Sequence, residues 1–176
     1  IELVFSDPTG HQMDITWREP HEDPLQPAQD YERKVVAARR RQVAYPYEII
    51  RMLVASEEDA VDGLGDSEDD ATSSRIPRGT FIEYDLAADG ASAERCEGRD
   101  WGQNTAGVVF GVITTPTEKV PEGMSRVLLL SDPTMGMGSL AGPECRRVEA
   151  ASDLAEQLGL PVEWLPVSSG AKIAMD

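Results

Sequence analysis

The sequence predicts an α/β fold, and three stretches carry that prediction. Residues 107–115 and 126–131 are short runs dominated by Val, Ile, Leu and Phe. Each is too short for a buried helix, so they read as strands. Val148, Ala151, Leu154, Ala155 and Leu158 then recur at three and four residues, which is one face of a helix. Pro143 suits the opening of that helix and Gly159 its end. Residues 162–167 return to an apolar strand pattern through Val162, Trp164, Leu165 and Val167. The order strand, strand, helix, strand is a ββα unit feeding a further turn.

The elements before this unit are less regular. Residues 1–5 read as a strand, Ser6-Asp7-Pro8-Thr9-Gly10 as a turn, and 12–17 as a second strand alternating Met13, Ile15 and Trp17 with polar residues. Together they predict a β-hairpin. Pro20, Pro24 and Pro27 follow as a linker, so residues 1–24 are expected to be a hairpin and linker, and 25–176 the main domain. Residues 30–41 predict a helix carrying Arg33, Lys34, Arg39, Arg40 and Arg41, either a solvated face or an anion site. Residues 45–53 predict a second helix, with Pro46 in its first turn and Ile49, Ile50, Met52 and Leu53 giving it an apolar face. Residues 57–74 are rich in Asp, Glu, Gly and Ser and predict a mobile loop. Their acids lack calcium-loop spacing. Residues 80–86 predict a strand. Residues 87–102 and 116–123 predict irregular connections, and 136–142 a glycine-rich loop.

Composition narrows the function. The formal net charge of the 176 residues is −16. That excludes general nucleic-acid binding and adhesion to an anionic membrane, while leaving room for a local basic pocket. Cys96 and Cys145 form no CxxC, and His11 and His21 lie far from both, so neither a disulfide scaffold nor structural zinc is expected. The sequence holds no apolar run of spanning length and no signal-peptide pattern, so a cytoplasmic protein is expected. It starts at Ile1 without Met and stops inside an apparent helix start, which predicts a piece of a longer polypeptide.

Three motifs bear on chemistry. Gly136-Met137-Gly138-Ser139-Leu140-Ala141 has the spacing of a dinucleotide fingerprint. Five residues separate the strand core from its first glycine, however, and the next strand ends without a ribose-holding acid. Ser168 and Ser169 lack the G-x-S-x-G elbow of a serine hydrolase. Val167-Ser168-Ser169-Gly170-Ala171-Lys172 reads as a strand end, a turn and a helix start. Gly170 lets another molecule approach the backbone, and the first N–H groups of a helix have no partner within it. Such a turn suits an oxyanion, and an ordinary β–α connection is the plain alternative.

Asn104-Thr105-Ala106-Gly107-Val108-Val109-Phe110, Ser131-Asp132-Pro133-Thr134, Gly138-Ser139 and Ser169-Gly170-Ala171-Lys172-Ile173 occur in an order and spacing that resemble the carboxyltransferase domain of biotin-dependent acyl-CoA carboxylases. Residues 45–53 are similar to the helix opening that domain. The resemblance implies a crotonase-like (ClpP/crotonase) ββα superhelix of which this chain is only the N-terminal half. It implies transfer of a carboxyl group from carboxybiotin to the α-carbon of acetyl-CoA, propionyl-CoA or a longer acyl-CoA. Biotin would arrive on a carrier domain outside this chain. Active sites would form between subunits of a homo-oligomer, so the fragment alone would be inactive.

Within the implied site, Gly170 and Ala171 would supply oxyanion N–H groups. Gly136, Gly138, Ser139 and Ser169 would line the cleft, and Lys172 would meet a CoA phosphate. Lys172 stands where the family has Arg, keeping the charge but not the planar fork, and Ala174 stands where it has Gly. Two other readings remain open: another crotonase-fold acyl-CoA enzyme, a hydratase or isomerase, with its own acid/base carboxylates; or a non-catalytic half-domain that binds CoA or serves assembly.

Overall fold

A computed structural model describes residues 2–6, 14–18, 29–55 and 78–171. The turn at 7–13, the proline linker, the acidic segment 57–74, and Lys172 with the helix expected after Gly170 lie outside the described residues. Strands β1 (Glu2–Ser6) and β2 (Asp14–Arg18) pair antiparallel, Glu2 opposite Arg18 and Ser6 opposite Asp14.

The other strands form one mixed sheet in the order β4-β3-β5-β6-β7. They are β3 (Thr80–Leu86), β4 (Ala93–Arg95), β5 (Val108–Thr117), β6 (Val120–Ser131) and β7 (Val162–Leu165). All neighbours are antiparallel except β6 and β7. Helices α1 (Asp30–Arg40) and α2 (Pro46–Val54) cover one face and α3 (Gly142–Leu158) the other.

Strand periodicity explains how one run of residues feeds two cores. Val109, Ile113, Leu128 and Leu130 pack with Ala38, Tyr45, Tyr47 and Ile50. Their alternates Val108, Phe110, Val127 and Leu129 pack with Ala150, Ala151, Leu154 and Ala155. A strand covered on both faces has no polar side, which is why 127–130 is continuously apolar. Truncating such a leucine to alanine costs about 2–5 kcal/mol.

The helix ends follow from local chemistry. Pro46 and Pro143 sit in first turns, where no N–H partner is lost. Gly159 closes α3 at φ +64, with Leu160 N–H donating to the Ala155 carbonyl at 2.9 Å.

Two expected connections are ordered differently. The span 116–123 is not a loop: β5 runs to Thr117 and β6 starts at Val120, leaving only Glu118 and Lys119 between them. Pro116, which cannot donate to a ladder, falls where the register shifts between Thr115 and Thr117. Within the span 87–102, β4 pairs Ala93 with Leu86 and Arg95 with Tyr84.

Candidate functional site

Because β6 and β7 are parallel, with Leu165 level with Leu130, both chains leave the sheet at the same end. Ser131 leads into the glycine loop, and Leu165 leads into the serine–glycine turn. The carboxyl ends of parallel strands are where open α/β sheets commonly bind ligands. The loop contains a 3-10 turn at Gly136–Gly138.

The loop and the turn are joined by backbone. Ser169 N–H donates to the Met137 carbonyl at 3.2 Å, and Leu140 N–H to the Gly170 carbonyl at 3.0 Å. Leu140 and Ala171 form a parallel bridge. Gly138 has φ +68, and a Cβ there would stand 1.9 Å from the Val167 carbonyl oxygen. The close approach at this glycine is therefore to the chain's own backbone.

Gly136, Gly138, Ser139, Ser169, Gly170 and Ala171 thus come together, while Lys172 lies outside the described residues. Within the turn, Gly170 N–H donates to Ser168 Oγ at 3.0 Å. Gly170 has φ +106, and a Cβ there would meet nothing within 4 Å, so its need for glycine is conformational rather than steric. Residues 168–171 are exposed.

A polar framework joins the 104–107 and 131–134 motifs to α3 through pairings that neither motif marks locally. Asp132 is fully buried. Its Oδ1 accepts from Thr134 N–H at 2.8 Å and Thr134 Oγ1 at 2.6 Å. Its Oδ2 accepts from Asn104 Nδ2 at 2.9 Å. Asp132 N–H in turn donates to the Gly107 carbonyl at 2.8 Å. From α3, Glu144 accepts from Gly107 N–H at 2.9 Å and from Ala141 N–H at 3.1 Å. The first turn of α3 is thereby tied both to the 104–107 segment and to the residue beside Leu140.

Arg147 extends this framework, donating to Thr105 Oγ1 at 3.0 Å and pairing with Asp85 at 2.8 Å. Desolvation alone would raise the Asp85 carboxyl. Hydrogen bonds from Arg99 and Leu86 N–H, with the Arg147 and Arg99 charges, outweigh it and hold the group below its ordinary value of 3.8. A lowered folded pKa means the native state binds fewer protons than the unfolded chain. The stabilisation is therefore full above that ordinary value and lost as pH falls through the folded one. In thermal melts between about pH 5 and 2, spanning the ordinary carboxylate range, wild type is expected to lose stability more steeply than Asp85→Asn. Parallel curves would remove Asp85 from acid unfolding.

In the basic cluster of α1, Arg33 pairs with Asp30, and Lys34 donates to the Gly102 carbonyl. Both residues line a cleft of about 730 Å³ that also touches Tyr31, Trp101, Asn104 and Met135. The cysteines are free, and burial, the main cause, pushes the Cys96 thiol up to about 11. Among the described residues, no group of three or more His, Cys, Asp or Glu is placed to hold a metal. None of the described helices is long and apolar enough to cross a membrane.

No family model matches the chain. Acetyl-CoA carboxylase of Schizosaccharomyces pombe is 31% identical over 100 residues, 57% of this chain and 4% of that protein. Acetyl-CoA carboxylase of Saccharomyces cerevisiae is 30% identical over 95 residues, 54% of this chain and again 4% of that protein. This chain is similar to a segment of the acetyl-CoA carboxylases of the two yeasts. That similarity agrees with the resemblance to acyl-CoA carboxylases drawn from the motifs. Among solved structures, the beta subunit of P. aeruginosa geranyl-CoA carboxylase aligns with 81% of this chain and 21% of its own, at 14% identity and a TM-score of 0.41. That overlap is too loose to carry a fold argument. The chain thus spans about 4% of the length of its matched acyl-CoA carboxylase relatives in the two yeasts, and a whole carboxylase is far larger than the region compared.

Proposed function

We propose that the chain is the N-terminal part of a carboxyltransferase domain, residues 25–176, preceded by a hairpin and linker in residues 1–24. In this reading it belongs to a biotin-dependent, cytoplasmic acyl-CoA carboxylase and has a crotonase-like fold. The observation that carries the reading is the exposed 168–171 turn docked on the 136–140 loop, within a chain related to acetyl-CoA carboxylases. The order β5, β6, α3, β7, with β7 parallel to β6, supports a ββα unit.

The substrates are an acyl-CoA and carboxybiotin, the latter delivered by a carrier domain and supplying the carboxyl group. Biotin would supply the carboxyl group and, once free of it, a ureido group to accept the acyl α-proton, and the resulting enolate would take up the released carboxyl. What this chain contributes is position and charge stabilisation. Gly170 N–H already serves Ser168, which favours Ala171 N–H as the donor to the thioester oxygen. The bridge leaves that donor uncommitted to Leu140, since its hydrogen bond enters at the Gly170 carbonyl. Gly136, Ser139 and Ser169 form the wall beside it, Gly138 lets the loop pack against Val167, and the charge of Lys172 is assigned to a CoA phosphate. The site is completed by a second half-domain across a subunit interface.

The test is transfer of labelled carboxyl from carboxybiotin to acetyl-, propionyl- and longer acyl-CoA. The complete enzyme is expected to turn over and the isolated 176-residue chain to show none. Turnover by the isolated chain would sink the two-half arrangement. No transfer by the complete enzyme to any acyl-CoA would sink the reading itself.

A further inference from the structure

The fold does not explain why residue 137 is a methionine. Met137 has φ +57 and ψ +32, in the left-handed region where Gly or Asn is the ordinary choice. The residue is 62% exposed, so it fills no core. Gly136 and Gly138 flank it at φ +54 and +68, so the chain makes three left-handed steps in succession and leaves an apolar side chain on the surface between them. Residues held in sparsely populated backbone regions cluster at functional sites.

The position of this residue is specific. Its carbonyl accepts Ser169 N–H at 3.2 Å, one residue from Gly170 and two from Ala171. With the carbonyl occupied, residue 137 presents its thioether side chain, which is unbranched, polarizable and able to conform to different apolar shapes. A thioester bound at Ala171 has acyl carbons on one side of its carbonyl and the sulfur-linked arm on the other. Only the acyl carbons differ between substrates.

We infer that Met137 is an acyl-chain specificity residue, its side chain forming an apolar wall for the acyl group. The inference rests on the carboxyltransferase reading and names the part of the substrate that this loop contacts.

The test compares acetyl-CoA with a longer acyl-CoA in the complete carboxylase, for wild type, Met137→Asn and Met137→Leu. Asn tolerates the left-handed backbone but removes the apolar wall, so the variant is expected to fold. One methylene in an apolar pocket is worth on the order of tenfold or more in selectivity. The kcat/KM ratio of longer acyl-CoA to acetyl-CoA is expected to fall about tenfold in Met137→Asn. In Met137→Leu, which keeps an apolar side chain, it should stay near wild type. Equal loss on every acyl-CoA would place Met137 against the common CoA arm and overturn the inference, as would no change at all. Both outcomes leave acyl-CoA turnover by wild type intact, whereas failure of the carboxyltransferase reading removes it.

Discussion

Gly138→Ala is expected to cut carboxyl transfer about a hundredfold and to lower thermal stability, because the new methyl cannot be accommodated without moving backbone. It would stand 1.9 Å from the Val167 carbonyl oxygen and 3.0 Å from its carbon. Neither neighbour is a flexible side-chain tip. The substitution also forces an L side chain to φ +68, which adds about 1–2 kcal/mol. Overpacking of this kind adds about 1–3 kcal/mol more. The strain can be relieved by pushing the Val167–Ser168 backbone away from the loop, and that backbone carries the proposed oxyanion turn. A misplacement of about 1 Å at a reacting centre can cost two orders of magnitude in rate.

Two other glycines calibrate the effect. Gly98→Ala meets nothing within 4 Å at φ +71, so it should show the backbone strain without the rate loss. Gly136→Ala meets only Ser139 Oγ at 3.0 Å, a side-chain atom that can rotate, so its effect should be smaller than that at 138. Melting temperatures and kcat for the three variants decide the matter. A Gly138→Ala enzyme with near-normal kcat would show that the loop and the turn move independently.

The α/β architecture around β5, β6, α3 and β7 was legible because burial imposes period. Val127 and Leu129 enter one core while Leu128 and Leu130 enter the other, so the run is apolar throughout. The face of α3 repeats every three to four residues because only one side of it touches the sheet. Strand β4 left no such mark: its three residues are intermediate or exposed, and a strand with little to bury has no apolar signature. The tight β5–β6 link was obscured by Pro116 and Gly123, both ordinary loop residues, which the paired strands absorb at a register shift and a φ of +90.

The candidate turn was legible from Gly170 and its place after a strand. Its support was not. Asn104 reaches Asp132 across 28 residues, and Gly107 reaches Glu144 across 37. Neither partner marks the other locally, and a buried carboxylate reads in sequence like any exposed one. Only the spacing of Asp132 and Thr134 hints at its side-chain turn.

Ala171→Pro is expected to lower acyl-CoA carboxylation by about a hundredfold or more while leaving ATP-dependent carboxylation of biotin unchanged. The substitution removes one backbone N–H. The bridge to Leu140 keeps its hydrogen bond, because Leu140 N–H donates to the Gly170 carbonyl rather than to residue 171. Proline restricts the residue before it, and that residue is glycine, the most permissive neighbour available. The enolate oxygen carries more negative charge than the thioester oxygen from which it forms, so a fixed donor favours the transition state over the ground state. One such donor is worth about 3–4 kcal/mol, or two to three orders of magnitude in rate. The loss should therefore fall on kcat as well as on kcat/KM, whereas a lost ground-state contact would raise KM alone. Ser168→Ala separates the two donors of the turn. It frees Gly170 N–H from its 3.0 Å bond, and an Ala171 donor predicts that this variant keeps most of its activity. If Ala171→Pro folds with a normal melt and near-wild-type kcat, while Ser168→Ala is the damaging change, the oxyanion donor sits at Gly170 and is held ready by the serine hydroxyl. If both variants are silent, the turn is a β–α connection and the chemistry lies elsewhere.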